Sequence, residues 1–501
     1  MKGEFRGDFS RDTFDPSKHF MRVLMQQGRV SLDADWNEQT DILLHYMQML
    51  AKDLIGPYAG PEDPAERGFG ITPTTSTKSP KSFNISRGRY YVDGILCENE
   101  PDNNTCENGA DELDYYSQPD FPRDINNNDF PQNEDLPLLV YLDVWERHIS
   151  YIEDDHIREK ALGVADTASR SKVVWQVKAL KSDDNWTGYL GDTKLSCQAI
   201  TVNWSQIVES LLQKANRGCL KAQAKETDAT QTEPCIASPE SSYRGEENQL
   251  YRVEIHRGGL AGGSNKSGSA TFKWSRDNGT VAFPIISKAG NLVVVEHLGR
   301  DDRLSLEKDD WVEVVDDDYI LLIQSRPSPM DKTRPLAQVD TVDTTEMTVT
   351  LRLKDSSELP DYMEGSQNHP LLRRWDHKKG DPTIQDEPEL ADDGALHVEE
   401  GNWLTLEDGV QVWFQNLDTV YSYQTGDYWL VPARTATGDV EWPKDASEPR
   451  LLRPHGVDHH YAPLAYINNG EEGNWVQKDC RCPIKKALNP PCGDNAVVRK
   501  S

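Results

Sequence analysis

The chain has 501 residues, and its 84 Asp and Glu against 54 Lys and Arg give a formal net charge of −30. A surface this acidic repels phosphate groups, so nucleic acid and direct contact with anionic lipid are disfavoured. No stretch approaches the ~18 consecutive apolar residues of a membrane span. The N-terminal sequence MKGEFRGDFSRDTF also lacks the apolar stretch of a secretory signal. We therefore expect a cytoplasmic protein.

The first predicted element is a helix that follows an N-terminal arm, together spanning residues 1–57. It starts near Asp33 or Asp35, and Asp35 is a candidate N-cap with Glu38 in the capping-box position. Gly56 then favours a stop. The apolar residues recur at three- and four-residue steps, which indicates one helical stripe: Leu43, Tyr46, Met47, Leu50 and Leu54.

The pattern then changes to a two-residue alternation, which predicts a first β region over 83–181. This region contains a hairpin that turns at Asp93 and Gly94. Two further strands are predicted at 138–145 and 172–178. Because these strands recur after long connections, we expect a sheet assembled from distant segments.

The rest of the chain alternates a helical insertion with more β structure. The insertion has its helix at 205–215, and four short strands, one of them at 320–323, are typical of a small closed or half-closed barrel. The fold class is therefore mainly β (α+β), with several small sheet or barrel modules. The predicted regions are a helical, partly mobile insertion (182–242), a return to the β core (243–291), a barrel-like module (292–355), a C-terminal β region (394–468) and a polar, Cys-containing tail (469–501).

The eight cysteines are expected to be thiols, because the chain is long and carries no secretory signal. Cys480, Cys482 and Cys492 offer three metal ligands without a fourth Cys or His beside them. A structural zinc site needs four ligands, so a plain thiol-bearing tail is the favoured interpretation.

Three histidines, His455, His459 and His460, form the densest ligand-like cluster and are weak candidates for a metal site. Pro454 and Gly456 disfavour the helix that would align two of the imidazoles. A loop whose His side chains bond to backbone is therefore favoured. The acidic triplet at 316–318 could bind calcium, but its place between two predicted strands favours a solvated turn. No cofactor is assigned.

Four tryptophans of the last β region, Trp403, Trp413, Trp429 and Trp442, are a possible ligand platform, because exposed aromatic rings bind sugars. Core packing or a subunit interface explains them equally well and is preferred. No nucleophile elbow, phosphate loop or dinucleotide fingerprint is present in the sequence. We therefore predict that the chain is not an enzyme.

Seven segments of the sequence together carry a family resemblance. They are GDFSRDTFDP (7–16), QQGRVSLDADWNE (26–38), YLDVWE (141–146), NQLYRVEIH (248–256), FKWSRDNG (272–279), GDYWLVPA (426–433) and HHYAPLA (459–465). These segments resemble an uncharacterised bacterial family, number six-five-one-nine of the domains of unknown function. The resemblance spans residues 7 to 465 and implies a setting rather than a chemistry: proteins of this family tend to be encoded beside phage-tail-like components, including those of contractile injection systems.

The resemblance and the residues together give three hypotheses. The leading one is a structural component of the baseplate, or of a complex attached to it, whose partners are other tail or baseplate proteins and further copies of itself. It would meet a membrane only through the particle, which either docks there or is released by lysis. The alternatives are a carbohydrate- or receptor-binding attachment protein and a polysaccharide or cell-wall hydrolase. The predicted interface residues are Trp36, Leu43, Met47 and Leu50.

Overall fold

The structure is a computed structural model. It describes residues 3–74, 82–100, 112–122, 131–162, 165–191, 194–213, 217–225, 242–262, 268–299, 301–324, 333–353, 359, 368–380, 386–415, 422–470 and 475–484. The chain is mainly β, as predicted, with several small sheets and three α-helices in the described part.

The three helices are α1 (Asp33–Ile55), α2 (Cys197–Ile207) and α3 (Asp317–Gln324). The predicted start of α1 is confirmed, but Asp35 is not its N-cap, because it lies inside the first turn and Leu32 precedes the helix without a side-chain cap. The predicted helix at 205–215 is displaced: α2 begins eight residues earlier, and a π-helical turn at Val208–Leu212 follows it. Ser196 caps α2 by accepting a hydrogen bond from the Ala199 amide.

Fifteen strands lie in the first part of the chain. They are β1 (Tyr58–Ala59), β2 (Ile71–Pro73), β3 (Phe83–Ser86), β4 (Gly88–Val92), β5 (Ile95–Asn99), β6 (Glu112–Asp114), β7 (Leu138–Ile149), β8 (Arg158–Glu159), β9 (Ala165–Asp166), β10 (Arg170–Leu180), β11 (Leu220–Ala224), β12 (Gln249–Arg257), β13 (Thr271–Ser275), β14 (Ala282–Ala289) and β15 (Leu292–Val295).

Thirteen further strands follow. They are β16 (Trp311–Val315), β17 (Ala337–Asp343), β18 (Thr348–Arg352), β19 (Leu371–Trp375), β20 (Leu396–His397), β21 (Trp403–Thr405), β22 (Val410–Phe414), β23 (Tyr428–Arg434), β24 (Asp439–Val440), β25 (Lys444–Asp445), β26 (Glu448–Pro449), β27 (His460–Asn469) and β28 (Trp475–Asp479).

The first module contains three sheets and α2 around one hydrophobic core. Its central sheet has the order β10-β7-β27-β28, and the sheets β1-β4-β5 and β2-β3-β6 pack on the same core. The long β7–β10 pair is antiparallel, and β27, which lies more than 300 residues after β7 begins, pairs with the other edge of β7. The predicted hairpin is confirmed: Asp93 and Gly94 both have positive φ, as a tight β4–β5 turn requires.

A second module has two antiparallel sheets that share a separate core. Their orders are β20-β13-β12-β23-β24 and β11-β22-β21. Residues 394–468, predicted as one C-terminal β region, therefore contribute strands to the sheets of both modules, because β21–β24 belong here and β27 belongs to the first module. Which module each strand joins depends on pairing with strands far away in the sequence, and the local sequence pattern does not predict such pairing.

The third module is a closed barrel with the strand order β14-β15-β18-β17-β16-β19 and its own core. The barrel was predicted from 292–355, but it also uses β14 and β19 on either side of that range. The predicted strand at 320–323 is wrong, because these residues lie in α3. The predicted solvated turn at 316–318 is wrong as well, since the buried Asp316 accepts a hydrogen bond from the Tyr319 amide at 2.7 Å and Asp317 starts the helix.

The C-terminal segment is joined to the first module, in contrast to the predicted polar tail. Strand β28 extends the central sheet, and Cys480 forms a disulfide with Cys197, which lies 283 residues earlier in the chain. The expectation of thiols is therefore wrong for this pair, because the fold brings the first residue of α2 beside the end of β28. Cys97, Cys219 and Cys482 form no disulfide, and Cys492 lies outside the described residues.

The disulfide between Cys197 and Cys480 gives a test of the fold. Because it closes a loop of nearly 300 residues, its loss should lower the free energy of unfolding by about 2–5 kcal/mol. Thermal melting should show a lower midpoint for Cys197→Ser, and dithiothreitol should shift the midpoint of the native chain but not that of the variant. Cys219→Ser is the matched control and should melt like the native chain. Equal melting of all three proteins would contradict the pairing.

Candidate functional site

Exposed apolar side chains are concentrated at one place, the N-terminal projection formed by residues 19–32 and α1. It carries fourteen of the 23 large hydrophobic side chains that are exposed in the described part of the chain, so it is the candidate site. They are Phe20, Met21, Leu24, Met25, Val30, Leu32, Trp36, Leu43, Leu44, Tyr46, Met47, Met49, Leu50 and Leu54.

The four predicted interface residues all lie on this surface. Trp36 is 69% exposed, Leu43 53%, Met47 66% and Leu50 61%. In contrast, Ala34 and Ile42 are the only buried residues of α1. A helix of 23 residues that buries so little of its apolar surface is unusual for a chain on its own, because contiguous exposed apolar patches mark interaction sites.

The N-terminal arm supports one side of α1. Thr13 donates a hydrogen bond to Glu38 at 2.5 Å, the Ser10 amide donates to Asp33 at 2.8 Å, and Phe14 packs on His45. A small cavity of about 180 Å³ lies between the arm and the helix. Its apolar walls include Phe14, Phe20, Ile42 and Tyr46.

The C-terminal half of α1 is fixed to the first module at the β4–β5 turn. Lys52 forms an ion pair with Asp93 at 2.7 Å, and Asp93 also accepts a hydrogen bond from His460 at 2.9 Å. Gly94 is required here, because a Cβ at this position would lie 2.3 Å from the Gln48 carbonyl oxygen. The projection is therefore held at a defined angle to the body.

The first residues of the arm are buried against the body of the chain. Residues 3–5 and 7 are buried, and Arg6 is nearly so. Tyr428 donates a hydrogen bond to the Gly3 carbonyl at 2.6 Å, and Asn278 donates to the Gly7 carbonyl at 2.9 Å. A parallel bridge joins Glu4 to Arg147 of β7. Only residues 16–32 of the arm are mostly exposed.

Around this buried segment lies a group of charged side chains that we call the junction cluster. It joins the arm to strands of the second module and the barrel. Arg252 donates to Glu254 at 2.6 Å, and Lys273 donates to Glu313 at 2.6 Å. Its members are Glu4, Arg6, Arg252, Glu254, Lys273, Glu313 and Arg373.

The pKa values of the cluster follow from burial opposed by neighbouring charge. Burial alone would raise the pKa of Glu254, but Arg6, Arg252 and Lys273 outweigh it and hold this pKa well below its ordinary value. Burial, together with repulsion from Arg6, lowers the pKa of Arg373 to about 10. Glu254 and Arg373 are therefore ionised at neutral pH, and the charge of Glu254 depends on its basic neighbours.

The junction cluster predicts a large effect of removing one charge. Glu254→Gln should lower the free energy of unfolding by about 3–5 kcal/mol, because it leaves Arg6 and Arg252 buried with too little opposite charge. Glu66→Gln breaks an exposed pair with Arg89 and serves as the control, with an expected loss below about 1 kcal/mol. Urea unfolding measures both, and similar losses for the two variants would count against the cluster.

The three candidate metal ligands do not converge. His459 is buried and contacts Asp143 through Nδ1 at 2.6 Å, His460 contacts Asp93, and His455 stacks on Tyr428. Across the described ranges, no group of three or more His, Cys, Asp or Glu side chains is arranged to hold a metal ion. His460 instead helps to position α1 through Asp93.

Two buried histidines, His256 and His377, and two half-buried ones, His148 and His455, give the protein a pH dependence. Burial lowers the pKa of His148, His256, His377 and His455 to about 4. They stay neutral in the folded chain, whereas the unfolded chain takes up protons as pH falls below the ordinary value of about 6.5. The stabilisation that these neutral imidazoles contribute is therefore complete above pH 6.5 and is lost as the pH falls from there towards 4.

At pH 5 each of these imidazoles should lower the free energy of unfolding by about 2 kcal/mol relative to pH 7.5. Urea unfolding at the two pH values measures the loss. His256→Asn should make the loss smaller by about 2 kcal/mol, because asparagine does not take up a proton in this range. The substitution breaks no hydrogen bond of the ring, since both ring nitrogens of His256 are buried without a hydrogen-bond partner among the described residues. His156 has an almost fully exposed side chain, so His156→Asn should leave the loss unchanged. A pH-independent unfolding energy would contradict this account.

The four tryptophans of the predicted platform divide into two pairs. Trp429 and Trp442 belong to the core of the second module, so they cannot bind a surface ligand. Trp403 and Trp413 are half-buried cross-strand neighbours on the outer face of the β11-β22-β21 sheet. The Lys221 ammonium group lies over both rings, 5.1 and 4.6 Å from their centroids.

The fold and the projection thus define a mainly β protein of three modules with an exposed helical arm. A family model of unknown function, DUF6519, matches residues 5–188 and 189–492. The chain belongs to this family, which confirms the family resemblance but carries no activity. No curated protein and no solved structure matches the chain. None of the described helices combines the length and apolar character needed to cross a membrane.

Sequence reasoning missed two parts of the site. The exposed apolar residues before α1, such as Phe20, Met21 and Leu24, were visible in the sequence as a hydrophobic run in a polar arm. The junction cluster gave no local signal, because its charged residues lie in strands whose pairing partners are far away in the chain.

Proposed function

We propose that this chain is a structural subunit of a phage-tail-like contractile injection system, in the baseplate or in a complex attached to it. The N-terminal projection is the surface through which it assembles. The observation that carries the proposal is the exposed apolar surface of α1 and residues 19–32 on an otherwise polar, acidic chain. The setting in an injection system comes from the family resemblance.

The physical support is the cost of leaving this surface in water. Burying apolar area contributes roughly 25 cal/mol per Å², and the projection holds most of the large apolar side chains that the described fold leaves exposed. A stable protein interface buries about 800 Å² per partner, and a 23-residue helix with its preceding segment has the length for that. The projection is also positioned in advance by Lys52, Asp93 and the arm, so less ordering is required on binding.

Charge placed on the projection should block assembly without unfolding the chain. Met47→Lys puts an ammonium group into the apolar surface, so the variant should be absent from purified particles while its melting midpoint matches the native value. Val202→Lys changes an equally exposed apolar residue on α2 and should still be incorporated. Immunoblotting of purified particles measures incorporation, and normal incorporation of Met47→Lys would refute the proposed surface.

Substitution is preferable to deletion for this experiment. A deletion of residues 1–32 would remove Glu4 and Arg6 from the junction cluster and leave Arg252 and Glu254 short of partners. Such a variant would lose stability as well as assembly. Substitution of exposed residues of α1 tests assembly without removing any member of the junction cluster.

A second candidate function is attachment to a carbohydrate through Trp403 and Trp413. Two aromatic rings side by side with a lysine suit a sugar that carries a carboxylate, because the rings stack on the sugar and the ammonium group pairs with the acid. The full chain on a glycan array should then show saturable binding that Trp413→Ala abolishes and Trp36→Ala leaves unchanged. A chain that acts only in assembly should show no saturable binding.

A further inference from the structure

Six positions of α1 form a continuous row that we call the α1 seam: Trp36, Thr40, Leu43, Met47, Leu50 and Leu54. Their spacing is four, three, four, three and four residues. This is the a/d spacing of a heptad repeat, the pattern by which one helix packs on another through knobs and holes. The seam runs over about 27 Å of helix at 1.5 Å per residue.

The seam is open to solvent. All its apolar members are at least half exposed, and Thr40 is exposed as well. The contacts of α1 with the body of the chain, and most of those with the arm, use other residues, namely Glu38, Ile42, His45, Gln48 and Lys52. On a helix of 3.6 residues per turn these five fall on a different face from the seam. Asp33 and Gln39, which border the seam, accept hydrogen bonds from amides of the arm. A partner helix can therefore approach without displacing the body.

The seam is complementary to itself in an antiparallel arrangement centred on His45. Reversal of the helix about this residue places Trp36 opposite Leu54, Thr40 opposite Leu50 and Leu43 opposite Met47. The flanking residues nearest the centre, Leu44 and Tyr46, are also exposed and apolar, and they would lie beside the axis of the pair. All six members of the seam are uncharged, so no ion is buried along it.

The charges on α1 favour this direction over a parallel one. The first half of the helix carries Asp33, Asp35, Glu38 and Asp41, whereas the last turn carries one base, Lys52, and one acid, Asp53. A parallel pair would bring two acidic halves together. An antiparallel pair separates them and opposes the two helix dipoles.

We propose that the occupant of the α1 seam is α1 of a second copy of this chain, packed antiparallel across a twofold axis. This inference rests on the proposed role of the projection in assembly and names the partner. Such a contact is isologous, so the same patch serves both copies and the assembly closes at two.

Sedimentation velocity of the full chain tests the proposal. The native protein should have about twice the 56.6 kDa mass of one chain. Leu43→Glu and Met47→Lys should each halve that mass, because each homodimer would bury two charges without opposite partners. Val202→Lys should remain dimeric. All three variants should keep the native far-ultraviolet circular dichroism spectrum, since the changed side chains are exposed on the single chain.

Mixing the two seam variants decides the orientation. In the antiparallel arrangement the carboxylate introduced by Leu43→Glu in one copy meets the ammonium group introduced by Met47→Lys in the other. The unchanged Met47 and Leu43 of the two copies meet each other, so an equimolar mixture should regain the doubled mass. A parallel pair would place each charge opposite an apolar residue and gain nothing. A mixture that stays monomeric overturns the antiparallel pair.

The experiment also separates this inference from the proposed function. A monomeric native chain whose Met47→Lys variant is lost from the particle would overturn the self-pairing and keep the projection as a surface for another protein. A dimer that is unaffected by both seam variants would overturn the seam as the contact. A native dimer that the seam variants dissociate, with normal incorporation of Met47→Lys into the particle, supports the pair and refutes the role in assembly.

Discussion

The contact between opposite charges where the N-terminal arm meets the second module and the barrel is the constraint on which the rest of the fold depends. Glu254 lies between Arg252 and Arg6, and Lys273 reaches both Glu254 and Glu313. None of these groups is exposed enough for water to replace a missing partner. The second module, the barrel and the N-terminal arm must therefore come together in one arrangement, because any other leaves a charge buried alone.

This constraint gives the projection a fixed base. The arm enters the junction at residues 3–7, leaves it along α1 and is held again where Lys52 and His460 meet at Asp93. Two of the residues that first suggested chemistry, His460 and Asp317, are in fact structural: Asp317 pairs with Arg147 and His369. The apolar face of α1, in contrast, is not covered by the described part of the chain. These polar side chains have partners within the chain whereas this apolar face has none, and the difference supports an assembly role.

Local patterns predicted those parts of the fold that local interactions determine. The Asp93–Gly94 turn, the start of α1 and three of the six barrel strands, β16, β17 and β18, follow from turn chemistry and periodicity within a few residues. The short apolar run at 320–323 was misassigned, because such a run fits a strand or a buried helix equally well. The disulfide, the sharing of 394–468 between two modules and the junction cluster depend on contacts between distant residues. For the candidate site, Trp36, Leu43, Met47 and Leu50 could be selected from helical spacing, and their heptad spacing was also present in the sequence.

The charged nature of the junction has a consequence for how the chain is made. The arm leaves the ribosome before the strands that bury it, and Tyr428, which binds the Gly3 carbonyl, is synthesised more than 400 residues later. At a synthesis rate of about 5–20 residues per second, residues 3–7 wait tens of seconds for their site. A wholly apolar segment would risk aggregation over that time, whereas the charges of Glu4 and Arg6 keep residues 3–7 hydrated until the strands that bury them are synthesised.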